Sequence, residues 1–139
     1  MKSIVYLMAM LLCSKMLASC ANMNSVISAP KDAGVSRVYE EDHELVKAAV
    51  LASMQSLNIN IKETRQTSDG FSITFTKTIS PFSWGEVGRV LVNKNDSTTS
   101  TVFVHSKKRL RTQVTGADED DFEKSIFRGV LEIIERDRI

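Results

Sequence analysis

The alternation of apolar and polar residues is clearest at residues 71–79, which read FSITFTKTI. Phe71, Ile73, Phe75 and Ile79 share one face of an extended strand, and serine and threonine side chains occupy the other face. This pattern is typical of an antiparallel sheet with one buried face and one hydroxyl-rich face in water. The sequence therefore predicts a sheet that is covered on one side.

Shorter patterns predict the remaining strands of the same sheet. Four further stretches have strand patterns: 35–40, 59–66, 86–93 and 98–106. Ser68-Asp69-Gly70 is a hairpin signal between the second and third strands. The polar residues 93–97 predict a turn between the last two strands.

Two segments have apolar residues at spacings of three and four, which predicts amphipathic helices. They run from about Asp42 to Leu57 and from about Asp118 to Arg136, and both begin in acidic residues, which suit the positive end of the helix dipole. The element order is β-α-β-β-β-β-α. We expect an α+β fold with two helices on one face of a four- to five-stranded, mainly antiparallel sheet.

The N-terminus reads MKSIVYLMAMLLCSKMLASC, with Lys2 ahead of an apolar run from Ile4 to Cys13. A run of about ten residues has the length of a signal-peptide core and is shorter than the roughly 20 residues of a spanning helix. The alternative is a buried N-terminal helix, but the apolar residues surround the segment and form no stripe. We interpret residues 1–19 as a signal peptide that is removed.

Leu17-Ala18-Ser19-Cys20 resembles the lipobox of bacterial lipoproteins. The resemblance implies that a diacylglyceryl group alkylates the Cys20 thiol, that a peptidase cuts before Cys20, and that the new amine is acylated. Ala21 follows where an Asp would favour the inner membrane, so the resemblance implies the periplasmic face of the outer membrane. The alternative is ordinary secretory cleavage after Ala21, without a lipid.

Residues 20–34 follow as a small, polar stretch without periodicity. We interpret them as the lipidated cysteine and a flexible tether of about 14 residues, with a reach of roughly 20 Å as a random coil. Residues 35–139 form the single predicted domain. Acyl chains on Cys20 hold such a protein on a membrane without spanning it.

Composition and charge exclude several classes of protein. Both cysteines lie within the first twenty of 139 residues, so the domain has neither a disulfide framework nor a zinc site made of thiolates. The formal net charge is +1, and removal of residues 1–19 leaves 16 basic against 17 acidic side chains. We therefore expect no nucleic-acid partner.

Sequence motifs give no support for catalysis, a metal or a cofactor. His43 and His105 lack metal-ligand spacing, and we expect both on the surface or at its rim. Nucleophile and nucleotide-binding motifs are absent from the sequence. The acidic run at 117–123 lacks the ligand spacing of a calcium loop and is explained by a helix N-terminus. We predict that the protein is not an enzyme.

Two short stretches are candidate interaction sites. PFSW at 81–84 places Phe82 and Trp84 in a loop, where they either cap the core or anchor a partner. KKRLR at 107–111 is either a solvated hairpin end or a contact for anionic headgroups. Its four cations are Lys107, Lys108, Arg109 and Arg111.

The domain is similar in pattern to small envelope lipoproteins of uncharacterised function and to helix-grip-like modules in accessory lipoproteins of outer-membrane assembly. We predict a lipid-anchored periplasmic module that binds another envelope component. The alternative is a small-ligand or lipid-binding protein that uses the concave side of the sheet. A pocket larger than about 300 Å³ between helices and sheet favours that alternative.

Overall fold

A computed structural model describes residues 22–78, 85–108 and 119–138 of the chain. Predicted sites at Cys20, Phe82, Trp84, Arg109 and Arg111 lie outside these residues. The elements in chain order are α1 (Met23–Ile27), β1 (Val35–Tyr39), α2 (His43–Ser56), β2 (Asn60–Thr67), β3 (Gly70–Lys77), β4 (Glu86–Lys94), β5 (Ser100–Lys108) and α3 (Glu119–Asp137). No helix of the described residues is long and apolar enough to cross a membrane.

The five strands form one antiparallel sheet in the order β1-β5-β4-β3-β2. The predicted α+β fold is confirmed, with α2 and α3 packed on one face of this sheet. Helix α2 begins where predicted because the Asp42 carboxylate accepts hydrogen bonds from the backbone N–H groups of Glu44 and Leu45.

The core lies between the sheet and the two long helices, and we call this side of the sheet the two-helix face. Phe75 of β3, Met54 of α2 and Ile126 of α3 are fully buried there. Valines of the central strands complete the layer: Val90, Val92, Val102 and Val104. Burial of such apolar side chains supplies most of the stability of a domain of this size.

The opposite side of the sheet, which we call the α1 face, is covered in part by the short helix α1. Val26 of α1 is fully buried, and the helix packs against β4 and β5. Gly34 (φ +89°) turns the chain from this face into β1. A Cβ there would lie 2.0 Å from the Val104 carbonyl oxygen, so the turn requires glycine.

Helix α1 differs from the flexible tether predicted for residues 20–34. A single buried valine and contacts from the sheet hold the segment, and neither produces a periodic pattern in the sequence. The prediction of a wet hydroxyl face is also wrong for Thr74 and Thr76, which are both buried. His43, expected at the surface, is buried with Nε2 3.1 Å from the Val92 carbonyl oxygen.

Candidate functional site

Arg89 is a buried charged residue in the centre of the α1 face. Strand β4 alternates, so that Val90 and Val92 enter the core while Arg89 and Leu91 point to the α1 face. Arg89 is in register with Thr74 of β3 and with His105 of β5. Arg89 is only 7% exposed.

The Arg89 guanidinium holds the end of α1 through two backbone carbonyls. Its Nη1 donates to the Ile27 carbonyl oxygen at 2.9 Å, and its Nη2 donates to the Pro30 carbonyl oxygen at 2.7 Å. A cation at this position also suits the negative end of the helix dipole. Arg89 therefore connects α1 to the sheet.

The charge of Arg89 has no carboxylate partner among the residues that the structure describes. Its Nε atom is buried and has no hydrogen-bond acceptor among the described residues. Burial lowers the pKa of the Arg89 guanidinium because desolvation disfavours the charged form. An arginine nevertheless stays protonated, so a positive charge lies under α1.

A groove with a volume of about 160 Å³ opens beside Arg89 on the α1 face. Residues of α1, the following loop and strands β2 to β4 line it: Ile27, Lys31, Glu63, Arg65, Thr67, Ser72, Thr74, Arg89 and Leu91. The floor combines apolar surface with hydroxyl groups. This groove is smaller than ordinary ligand pockets of roughly 300 Å³ or more.

The charges at the rim of the groove are paired. Lys31 forms an ion pair with Asp69, and Arg65 Nη2 lies 2.7 Å from Glu63 Oε1. These pairs are exposed and contribute little to stability. When Asp69, which lies outside the lining, is counted with Lys31, the two rim pairs are neutral and Arg89 is the remaining positive charge.

Strand β1 forms one edge of the sheet and is exposed on both faces. Val35 is 45% exposed and Val38 is 62% exposed. Val35 pairs with Val104 and so lies on the two-helix face, whereas Val38 pairs with Thr101 and lies on the α1 face. An edge strand also presents alternate backbone N–H and C=O groups to solvent.

The opposite edge, β2, has the features that natural proteins use to prevent pairing with another strand. Its register shifts between Ile61 and Glu63, and Lys62, Glu63 and Arg65 are exposed. Charged side chains and bulges both disfavour the addition of a strand. The two edges of the sheet thus differ in chemistry.

Among the predicted interaction residues, Lys107 and Lys108 are the two that the structure describes. They end β5 in register with Val87 and Glu86, and both are partly buried. The two lysines thus belong to the paired sheet, and the structure brings neither of them to the groove. The described residues contain no group of three histidine, cysteine, aspartate or glutamate side chains that could hold a metal ion.

Sequence reasoning missed Arg89 and its groove. The sequence does contain one signal for this site. Arg89 is the single cation in the apolar run VGRVLV at 87–92, within a predicted strand. A second strand rich in hydroxyl groups, β3, lies beside it. Lys31 and Ile27 come from the predicted tether, so the sequence alone did not assign them to a site.

Comparisons with known proteins add no family to this description. No protein-family model matches the chain, and a search of curated proteins gave no match.

Proposed function

We propose that the protein is a lipid-anchored, non-enzymatic module of the periplasm that binds another envelope protein. Its anchor is the Cys20 lipid that the lipobox resemblance implies. Its binding element is the open sheet edge β1. The exposure of β1 on both faces is the observation that supports this function best.

An added strand would bury apolar surface on both sides of the β1 edge. Val35 and Val38 point to opposite faces, so a partner strand that pairs with β1 covers both side chains at once. Main-chain hydrogen bonds give such pairing its affinity, and side-chain contacts give it specificity. The exposed Arg37 between the valines favours a partner segment with an acidic residue.

The contrast with β2 supports the choice of this edge. A sheet that avoided strand addition altogether would protect both edges, whereas here β1 carries one charged residue, Arg37, and β2 combines several exposed charges with a register shift. Long exposed apolar edges promote aggregation, and β1 limits that risk because it has only five residues.

Site-specific photo-crosslinking in the native membrane tests the β1 edge. A photoreactive amino acid replaces Val38 on β1 or, as the matched control, Lys62 on the opposite edge. We expect a discrete adduct with one envelope protein from the Val38 position and none from the Lys62 position. Equal labelling from both positions, or no adduct from Val38, contradicts binding through β1.

The anchor requires its own experiment. Cys20→Ser removes the thiol that attacks the lipid donor, so acyl labelling should disappear and the protein should leave the membrane fraction. A wild-type N-terminus at Asn22 without added lipid mass would show ordinary secretion instead.

Trp84→Ala and charge reversal of Lys107, Lys108, Arg109 and Arg111 test the two sequence candidates. Partner capture that survives both changes and fails with Val38→Asp identifies β1 as the contact. Capture that fails with Trp84→Ala and survives Val38→Asp identifies the aromatic loop.

A further inference from the structure

We propose that the groove on the α1 face binds a small monocarboxylate with a compact apolar body. This inference depends neither on the lipid anchor nor on the β1 edge. It rests on the charge, size and lining of the groove.

The charge favours an anion. A buried ion without an opposite charge is costly, and proteins normally pair it or hydrogen-bond it fully. Two carbonyl dipoles offset part of the cost for Arg89, while Nε has no acceptor among the described residues. Lys31 and Arg65 are already paired, so one positive charge remains and a monoanion neutralises it.

The size limits the ligand to a few carbon atoms. An engineered apolar cavity of about 150 Å³ holds benzene, and the groove has a volume of about 160 Å³. The ligand body is therefore about as large as one six-membered ring or a short branched chain. A full-length acyl chain is too large.

The lining provides for both parts of such a molecule. Ile27 and Leu91 give apolar contact for the body. Ser72 carries a hydroxyl group that can donate a hydrogen bond to a carboxylate oxygen beside the Arg89 charge, whereas the Thr74 hydroxyl donates to the Glu63 carbonyl oxygen at 3.5 Å. The arrangement matches the usual design of small-molecule sites, in which a few polar groups orient a ligand within apolar walls.

Benzoate is the probe for this proposal, and benzamide is its neutral isostere. The mature protein in detergent is titrated with each compound by calorimetry, and the same titrations are followed by NMR of the backbone amides. We expect benzoate to bind with a dissociation constant of about 1 mM or tighter, at least about tenfold more tightly than benzamide. The shifted amides should belong to β3, β4 and α1.

Three variants localise the binding. Arg89→Met removes the charge, and Ser72→Phe fills the groove without altering Arg89. Thr64→Phe, an exposed change on the other face of β2, is the matched control. We expect the first two variants to weaken benzoate binding at least about tenfold and the control to leave it unchanged.

The Ser72→Phe variant keeps the test valid if Arg89→Met releases α1. Binding that survives Ser72→Phe, or equal affinity for benzoate and benzamide, overturns the proposal. Absence of saturation at about 10 mM benzoate overturns it as well, because the charge of Arg89 then provides no site.

Discussion

The two faces of the sheet are covered in different ways. On the two-helix face, helices of 14 and 19 residues bury a continuous apolar core. On the α1 face, a helix of five residues contributes one fully buried valine and is held by one arginine. The two-helix face is covered through buried apolar area, and the α1 face is covered through a few directed contacts.

The difference determines where the protein can open. A helix of five residues has no stability of its own in water, so α1 persists only through its attachments to the sheet. Segments with few buried contacts open locally at low free energy, whereas the core opens only with global unfolding. We therefore expect ligand binding on the α1 face and global stability on the two-helix face.

Phe75→Ala should have the largest effect, because it removes the largest fully buried side chain of the two-helix face. We expect the free energy of unfolding to fall by about 3–5 kcal/mol, the range for aromatic-to-alanine changes in a core. Urea denaturation followed by circular dichroism measures the change. A loss below about 1 kcal/mol would mean that this face does not carry the stability of the domain.

Arg89→Met should act locally on the other face. Hydrogen bonds to a charged group contribute about 1.5–3 kcal/mol, and the variant loses one to Ile27 of α1 and one to Pro30 of the following loop. We expect faster hydrogen exchange at Met23–Ile27, with exchange of the β3 amides unchanged. Arg89→Lys should rescue little, because an ammonium group does not reach two carbonyls as a planar guanidinium does.

A drop in global stability equal to that of Phe75→Ala would contradict this division of the molecule. Such a result would mean that α1 and the core unfold as one cooperative unit.

Tyr39→Phe tests a polar contact at the border of the core. The Tyr39 hydroxyl donates to the Phe127 carbonyl oxygen at 3.3 Å, and its loss should cost about 0.5–1.5 kcal/mol at pH 7. Burial, opposed by Arg37, raises the pKa of Tyr39 from 10.0 to about 12. The unfolded state therefore ionises first, and the wild type should lose stability between those two pH values.

The Phe variant lacks this ionisation, so its stability should fall less over the same pH interval. Denaturant midpoints of both proteins at pH 9 and pH 11 measure the difference. Parallel losses in the two proteins would assign the alkaline sensitivity to other groups.

Asp96→Asn should have the smallest effect, because Asp96 lies in an exposed turn between β4 and β5. Its carboxylate accepts hydrogen bonds from Thr99 and Thr98, which lower its pKa from 3.8 to about 2. The ionised form stabilises the folded state above pH 3.8, and this contribution is lost as the pH falls towards 2. The melting temperature of the variant should be slightly lower than that of the wild type at pH 7 and equal to it at pH 2.

Asp32→Asn is the control for that measurement, since Asp32 is an exposed aspartate outside the turn. A pH-independent difference between Asp96→Asn and wild type would mean that the turn does not depend on the carboxylate charge.

The sequence predicted the two-helix face well because amphipathic periodicity reports burial against a large partner. The helices and strands follow their predicted order, and β5 extends two residues beyond the predicted end at 106. Helix α1 could not be predicted in this way. Five residues give no usable period, and the contacts that hold them come from Arg89, far away along the chain.

The groove was equally inaccessible to sequence reasoning. Its walls come from α1, a loop and three strands, and no local pattern connects Lys31 with Arg65 or Leu91. Arg89 within VGRVLV was the one local sign, because a charge in a central strand requires a specific environment. A prediction of the site required knowledge that residues 22–34 fold back over the sheet.

The position of α1 also sets how freely an anchored molecule could move. Its N-cap is Asn22, two residues after Cys20, and a chain of that length spans at most about 7 Å. If Cys20 carries acyl chains as proposed, the domain lies close to the lipid headgroups and samples a restricted set of orientations. Diffusion toward a partner is then nearly two-dimensional. The β1 edge and a partner on the same membrane therefore meet at a high effective concentration.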